Sequence, residues 1–208
     1  MSKQKKFFGF LIPSALLVVL VVVLFPWRNL KAEDDISTRV SQMSLDEKVG
    51  QLVIAGLVGP YADDAAREAI SKYHIGGVNL LGRNIKERNQ VIKLITDLQA
   101  VAAVPLFIAV DQEGGSISRL RFLKELTPQY SIRTARQARA VAVSRGKELK
   151  ELGVNMNFSP VLDYVTSERS YLWPRVFRGN VAAVASLGQA MMEGYKAAGV
   201  VSVPKHFP

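Results

Sequence analysis

An α/β fold built on parallel strands is what this sequence predicts, and three observations predict it. Strand-like apolar runs recur at about residues 51–58, 77–81, 105–110, 154–159 and 199–203. The segments between most of them carry apolar residues at helical spacing. Strand, helix, strand in that order requires parallel pairing through crossover helices. Two such folds compete, the doubly wound open sheet and the (β/α)₈ barrel, and both gather their chemistry at the carboxyl ends of the strands.

The chain opens on a basic stretch, MSKQKK, followed by an uncharged apolar run over residues 7–25 that ends at Pro26, Trp27 and Arg28. That run is near the length that crosses a bilayer as a helix. A cleaved signal peptide has a shorter apolar stretch and small residues before the cut, whereas cleavage after Ala32 would put Leu30 at the −3 position. Residues 1–28 are therefore read as an uncleaved signal anchor, with a cleaved signal peptide as the alternative. In both readings Lys3, Lys5 and Lys6 hold the amino end in the cytoplasm and the body lies outside it, in the periplasm or extracellular space, anchored or secreted. Residues 29–40 are polar and read as a tether, and the folded domain occupies 41–208.

Within the domain, Ser44 and Glu47 have the spacing of a capping box, and Val49, Leu52 and Val53 are expected to begin a buried face. The first apolar run follows at once. Residues 61–73 read as a helix, with Gly76 beyond it as a stop. Val91, Leu94, Ile95, Leu98 and Ala102 fall on one face of the next helix. Residues 133–152 form a long basic helix ending at Gly153, read as the solvated outer face, with docking to anionic envelope polymers as a lesser alternative. Residues 181–197 are the last helix, stopped at Gly199.

Composition removes several function classes. Apolar residues make up 49% and charged residues 22%, which is ordinary for a globular chain with an apolar leader. The net charge of +9 is partly the leader's, whose five basic side chains face no acid before Glu33; the rest has 22 basic against 18 acidic residues, too modest an excess for a nucleic-acid footprint. Without cysteine there are no disulfides and no thiolate metal sites. No Walker motif, zinc signature or Gly-x-Ser-x-Gly elbow is present, and AGLVGPYAD is a poor phosphate turn, so no metal or cofactor is implied. What does collect at the expected strand ends is polar: Asn84, Asp111, Glu113, Asp163, Lys205 and His206.

The third strand continues as PLFIAVDQEGGSISRL, and Asp-Gln-Glu-Gly-Gly at 111–115 with Arg119 resembles the signature of family 3 glycoside hydrolases. GVNMNFSPVLD at 153–163 resembles that family's fourth strand, and PKHFP at the end resembles the start of its Lys-His-Phe-Pro-Gly-His-Gly motif. MSLDEKVGQL and IGGVNLLGRN resemble its opening helix and second strand. These segments run in the family's order from about Ser41 to Pro208, and the branch they resemble most is the bacterial β-N-acetylhexosaminidases. The resemblance implies a (β/α)₈ barrel, with about five of eight units in this chain, preceded by one transmembrane helix. It implies a retaining hydrolase of O-glycosyl bonds that releases terminal N-acetylglucosamine-type residues from cell-wall or related glycans, with a β-glucosidase type or a catalytically incomplete sugar-binding fragment as alternatives.

Residue by residue, it implies that Asp111, Arg119, Arg175, Lys205 and His206 bind the sugar. The catalytic pair, an acid/base histidine and a nucleophilic aspartate, is expected beyond Pro208, so the 208-residue chain alone is expected to be inactive, and a truncated or split reading frame is suspected. Two positions depart from the branch: Arg175-Val176-Phe177 replaces an Arg-Ser-Phe-like stretch, and Ser116 stands where arginine is commoner. The residues suit a sugar on their own chemistry, since a short acid accepts from two neighbouring hydroxyls while Lys and Arg donate to the same ring. Other readings stay open. Asp111 could cap the next turn, Glu113 is expected to hold its loop, Asp163 to order its own, His74 to end a helix, and Trp173 to offer a stacking face.

Overall fold

The computed structural model describes residues 36–207. It divides into two compact units, up to Ser44 and from Leu45 onward. In the first, residues 36–42 are helical, at the junction of the segments read as tether and domain. The apolar run at 7–25 lies outside the described residues, and among those described no helix is long and apolar enough to cross a membrane.

The second unit alternates as the sequence predicts. Helix α1 (Leu45–Gln51) leads into β1 (Ile54–Gly56), α2 (Asp64–Ser71) into β2 (Gly77–Leu80), and α3 (Arg88–Gln99) into β3 (Phe107–Val110). A two-stranded hairpin follows, β4 (Gln112–Gly114) with β5 (Ile117–Ser118). Then come α4 (Ala135–Glu151), β6 (Met156–Asn157), α5 (Val181–Ala197) and β7 (Val201–Ser202). The main sheet runs β1-β2-β3-β6-β7, parallel at every pairing. Its order never reverses. A doubly wound sheet requires such a reversal, at which its ligand crevice opens; monotonic order is that of a barrel wall, so this parallel α/β sheet is consistent with a TIM-type barrel.

The core lies between the strands and their helices. Val78, Leu80, Ile108 and Val110 meet Val91, Leu94, Leu98, Leu149, Met191 and Tyr195, all buried. The predicted face of α3 is the face that goes inside, with Ala102 packed at its margin. Asp63 caps α2 by accepting from the Ala66 amide at 2.9 Å. The strands are short, and side-chain carboxamides lengthen their pairing. Asn155 accepts from the Ile108 amide at 2.7 Å and donates to the Leu106 carbonyl at 2.9 Å. Asn157 does the same to the amide and carbonyl of Gln112, both at 3.0 Å. Gln129 donates to the Val161 carbonyl at 2.5 Å and accepts from its amide at 3.0 Å.

Three expectations are corrected. Val49, Leu52 and Val53 are exposed, Leu52 at 86%, and the buried residue of α1 is Gly50. A Cβ there would sit 2.3 Å from the Tyr73 carbonyl oxygen; α1 rests on its neighbour by backbone, and its apolar side chains are turned away. The chain after α2 turns at His74, whose φ is 54°, and not at Gly76. Finally, α4 is not simply a solvated face: Ala138, Val141, Ala142, Arg145, Gly146 and Leu149 are buried. Spacing alone did not assign its one inward arginine.

A charged cluster at the carboxyl ends of the strands

Asp111 is the residue directly after β3, and Glu113 lies in β4 two positions on. Between them Gln112 turns inward, accepting from the Leu120 amide at 2.9 Å and so closing the hairpin on itself. Gly114 has φ of 94°, in the left-handed region that glycine enters without strain. A Cβ there would meet the Thr127 carbonyl at 2.2 Å. The tight hairpin thus needs glycine at this point, and it delivers Glu113 to the sheet end with only 1% exposure.

Lys205 arrives from the far side. Beyond β7 the chain keeps pairing, with the Lys205 amide donating to the Pro160 carbonyl at 3.0 Å and the Leu162 amide to the Lys205 carbonyl at 2.6 Å. The Lys205 ammonium sits 2.6 Å from Asp111 Oδ1 and 2.7 Å from Glu113 Oε1. Arg175, at the end of a single 3₁₀ turn (Trp173–Arg175), grips Glu113 with both ends of its fork, Nε to Oε2 at 2.9 Å and Nη2 to Oε1 at 2.8 Å. This bidentate geometry is the strong form of a charge-assisted hydrogen bond. The hydrogen bonds that Arg175 donates to Glu113 raise its pKa above the usual guanidinium range, with burial opposing this. Two acids and two bases balance in the cluster.

The chemistry available differs along it. Asp111 and Lys205 keep 19% and 16% of their side chains exposed, so together they present an acceptor and a donor to an incoming hydroxyl. Glu113 has both oxygens engaged and no exposed surface to offer, which supports reading it as a holding residue. His206 points elsewhere in the rim: its Nδ1 lies 2.8 Å from Asp163 Oδ2, and its amide donates to the same oxygen at 3.2 Å. Asp163 therefore holds His206, beyond the loop it was expected to order.

Of the sequence-derived residues, Asp111, Arg175 and Lys205 are brought together, with Glu113 as the link. His206 is the neighbour of Lys205 and pairs with Asp163. Arg119 lines a cleft of about 320 Å³ together with Gly82, Ile85, Lys86, Ser118, Arg121 and Phe122. Its Nε is buried and has no hydrogen-bond partner among the described residues. Asn84 is used up structurally, donating to the carbonyls of Leu57 and Gly59 and so tying the loops after β1 and β2. One face of Trp173 is covered by the Arg178 guanidinium, 3.6 Å from the ring centre. Among the described residues no group of three or more His, Cys, Asp or Glu could hold a metal ion. The residue missed by sequence reasoning is Arg145, which lies beneath Glu113; its only signal was a basic residue in phase with the buried positions Ala138, Val141, Ala142 and Leu149.

A monotonic parallel sheet with a donor–acceptor cluster at its carboxyl ends defines the class, an α/β protein of barrel-wall topology, a class in which ligand sites lie at the strand mouths. Residues 44–208 match the sequence profile of the Glycosyl hydrolase family 3 N terminal domain, and the chain belongs to that family. It is 38% identical over 155 residues to a β-hexosaminidase A of Pseudoalteromonas piscicida, a match covering 68% of this chain and 26% of the relative. It is 34% identical over 165 residues to a β-hexosaminidase of Nitrosomonas eutropha, covering 73% and 47%. Among solved structures, a family 3 β-N-acetylglucosaminidase from a Paenibacillus species superposes with a TM-score of 0.76 at 40% identity, over 80% of this chain and 33% of that one. The chain thus spans about half or less of the length of these relatives.

Proposed function

We propose that this chain is the sugar-holding part of a retaining glycoside hydrolase of the β-N-acetylhexosaminidase type, acting on terminal N-acetylglucosamine-type residues of cell-wall or related glycans. The observation that carries the reading is the Lys205 ammonium held between Asp111 and Glu113 at the mouths of β3 and β7. Glycosidases need fixed partners for ring hydroxyls beside the groups that cleave. In this reading Asp111 accepts from two neighbouring hydroxyls and Lys205 donates to one of them. Arg175 fixes the floor of the site from the side, and Arg119 and His206 complete it from adjoining loops. The kinship with proteins named β-hexosaminidase supports the choice of an amino sugar.

The five strands are read as five of the eight units of a (β/α)₈ barrel. The acid/base histidine and the nucleophilic aspartate would come from beyond Pro208. The apolar run at 7–25 would hold the domain to a membrane, facing away from the cytoplasm.

Titration of the chain with N-acetylglucosamine and with glucose, followed by NMR, tests the reading. Saturable binding of the acetylated sugar, lost in Asp111→Asn, is the expected result. Equal or better binding of glucose would favour a β-glucosidase type instead, and turnover of an aryl N-acetylglucosaminide by the 208-residue chain alone would contradict its being catalytically incomplete.

A further inference from the structure

Arg145 is completely buried, yet its nearest carboxylate oxygen, on Glu125, is 3.5 Å away. A buried charge whose one ion pair is this long is costly unless dipoles surround it. Here they do. Nη1 donates to the Glu113 carbonyl at 2.7 Å and Nη2 to the Thr127 carbonyl at 2.8 Å. The Glu125 carbonyl and the Gln112 carbonyl complete the cage at 3.4 and 3.5 Å. Tyr195 adds its hydroxyl at 3.3 Å. It can do so because α5 crosses α4 closely at Gly194, where a Cβ would lie 2.6 Å from the Arg139 carbonyl.

The cage is built around one stretch of backbone. Glu113 is held at its carbonyl by Arg145 from the core side, and at its carboxylate by Arg175 and Lys205 from the rim. Gly114, the next residue, has no room for a Cβ beside Arg145 Nη2, only 2.6 Å from where it would stand. Guanidinium geometry matters in this setting, because a planar fork serves several fixed carbonyls at once and a point-charge ammonium cannot.

We propose that Arg145 is a positioning residue of the sugar site: by clamping the Glu113 backbone it sets where the Glu113 carboxylate, and through it the Lys205 ammonium, stands at the rim. The inference rests on reading that rim as a sugar site. Arg145 touches no ligand itself. A shift of about 1 Å in a positioned group can cost two orders of magnitude in a site's performance, so a loosened clamp is felt at the rim even where the fold survives.

The test compares Arg145→Lys, Tyr195→Phe and the control Leu149→Ala, which lies one turn further along the same helix and is also buried. Two quantities are read in the folded full chain, well below its unfolding temperature. One is the rate of Lys205 acetylation by acetic anhydride relative to exposed Lys93, by mass spectrometry. The other is the affinity for N-acetylglucosamine. Arg145→Lys is expected to raise relative Lys205 acetylation and weaken sugar binding, each by about tenfold, Tyr195→Phe to do both to a smaller extent, and Leu149→Ala to change neither. If Arg145→Lys matches Leu149→Ala on both readouts, Arg145 is merely structural and the inference is overturned. If Arg145→Lys does not fold, Tyr195→Phe decides by the same comparison. If the unsubstituted chain binds no sugar, the proposed function falls, and the acetylation ratio still settles whether Arg145 positions Lys205.

Discussion

Two arginines hold the same glutamate, and they do it by opposite means. Below β4, Arg145 is fully buried and satisfied mainly by neutral carbonyl oxygens, with the Glu125 carboxylate farther off at 3.5 Å. Above it, Arg175 keeps some contact with solvent and is satisfied by the carboxylate itself. The lower contact therefore belongs to the fold and the upper one to the site. Without Arg175 the buried Glu113 carboxylate keeps Lys205 as a partner, while a guanidinium caged in the core cannot be removed without orphaning every carbonyl around it.

Replacements that break this contrast should rank accordingly. Arg145→Met, with no donors for the carbonyls of Glu113 and Thr127, is expected to cost about 3–5 kcal/mol in urea-induced unfolding, the range for breaking a buried polar network. Gly114→Ala should follow at about 2 kcal/mol or more, since the new Cβ meets both an unfavourable φ and the Thr127 carbonyl; circular dichroism melts check it, and a melting temperature unchanged from the parent would refute the hairpin geometry. Glu113→Gln places an amide against two cationic donors and is expected to cost about 1.5–3 kcal/mol. It should weaken sugar binding more than its stability loss suggests.

Two smaller effects sharpen the rim side. The Arg175 pKa is raised by Glu113, so its stabilising contribution is complete below the unfolded-state value and lost only as pH climbs through the still higher folded value. The destabilisation caused by Arg175→Gln should therefore be the same at pH 7 and pH 9 in denaturant titrations; a clear decline at pH 9 would count against the pairing. Asp97→Asn, which breaks an exposed pair with Lys93 four residues earlier on α3, should change stability by less than about 0.5 kcal/mol.

Periodicity made much of the fold legible. The stripe from Val91 to Leu98 marks α3 because its residues repeat at the helical period and all go inside. Residues 181–197 coincide with α5, since Asn180 caps it and Gly199 follows it. The hairpin of β4 and β5 was invisible as strands: two or three residues cannot show a period, and only Gly114 and Gly115 marked a turn. Leu52 and Val53 misled because an apolar spacing tells which residues share a face but not that Gly50 is the point of approach.

In the site, Asp111 and Lys205 were legible from local motifs, each sitting just past an apolar run. What linked them was not. Arg145 meets groups that are 18 to 50 positions distant, and nothing in RTARQARAVAVSRGKELKEL distinguishes its one inward arginine from the outward ones except phase.

The carboxamides of Asn155, Asn157 and Gln129 that extend the short strands carry no charge and do not ionise across the ordinary pH range. The frame that aims the rim is thus deaf to added salt, while the ion pairs it supports are not. A rise in ionic strength would reach the partly exposed ends of Asp111 and Lys205 well before it reached the sheet, so the rim can respond to the surroundings of the protein while the scaffold beneath it stays unchanged.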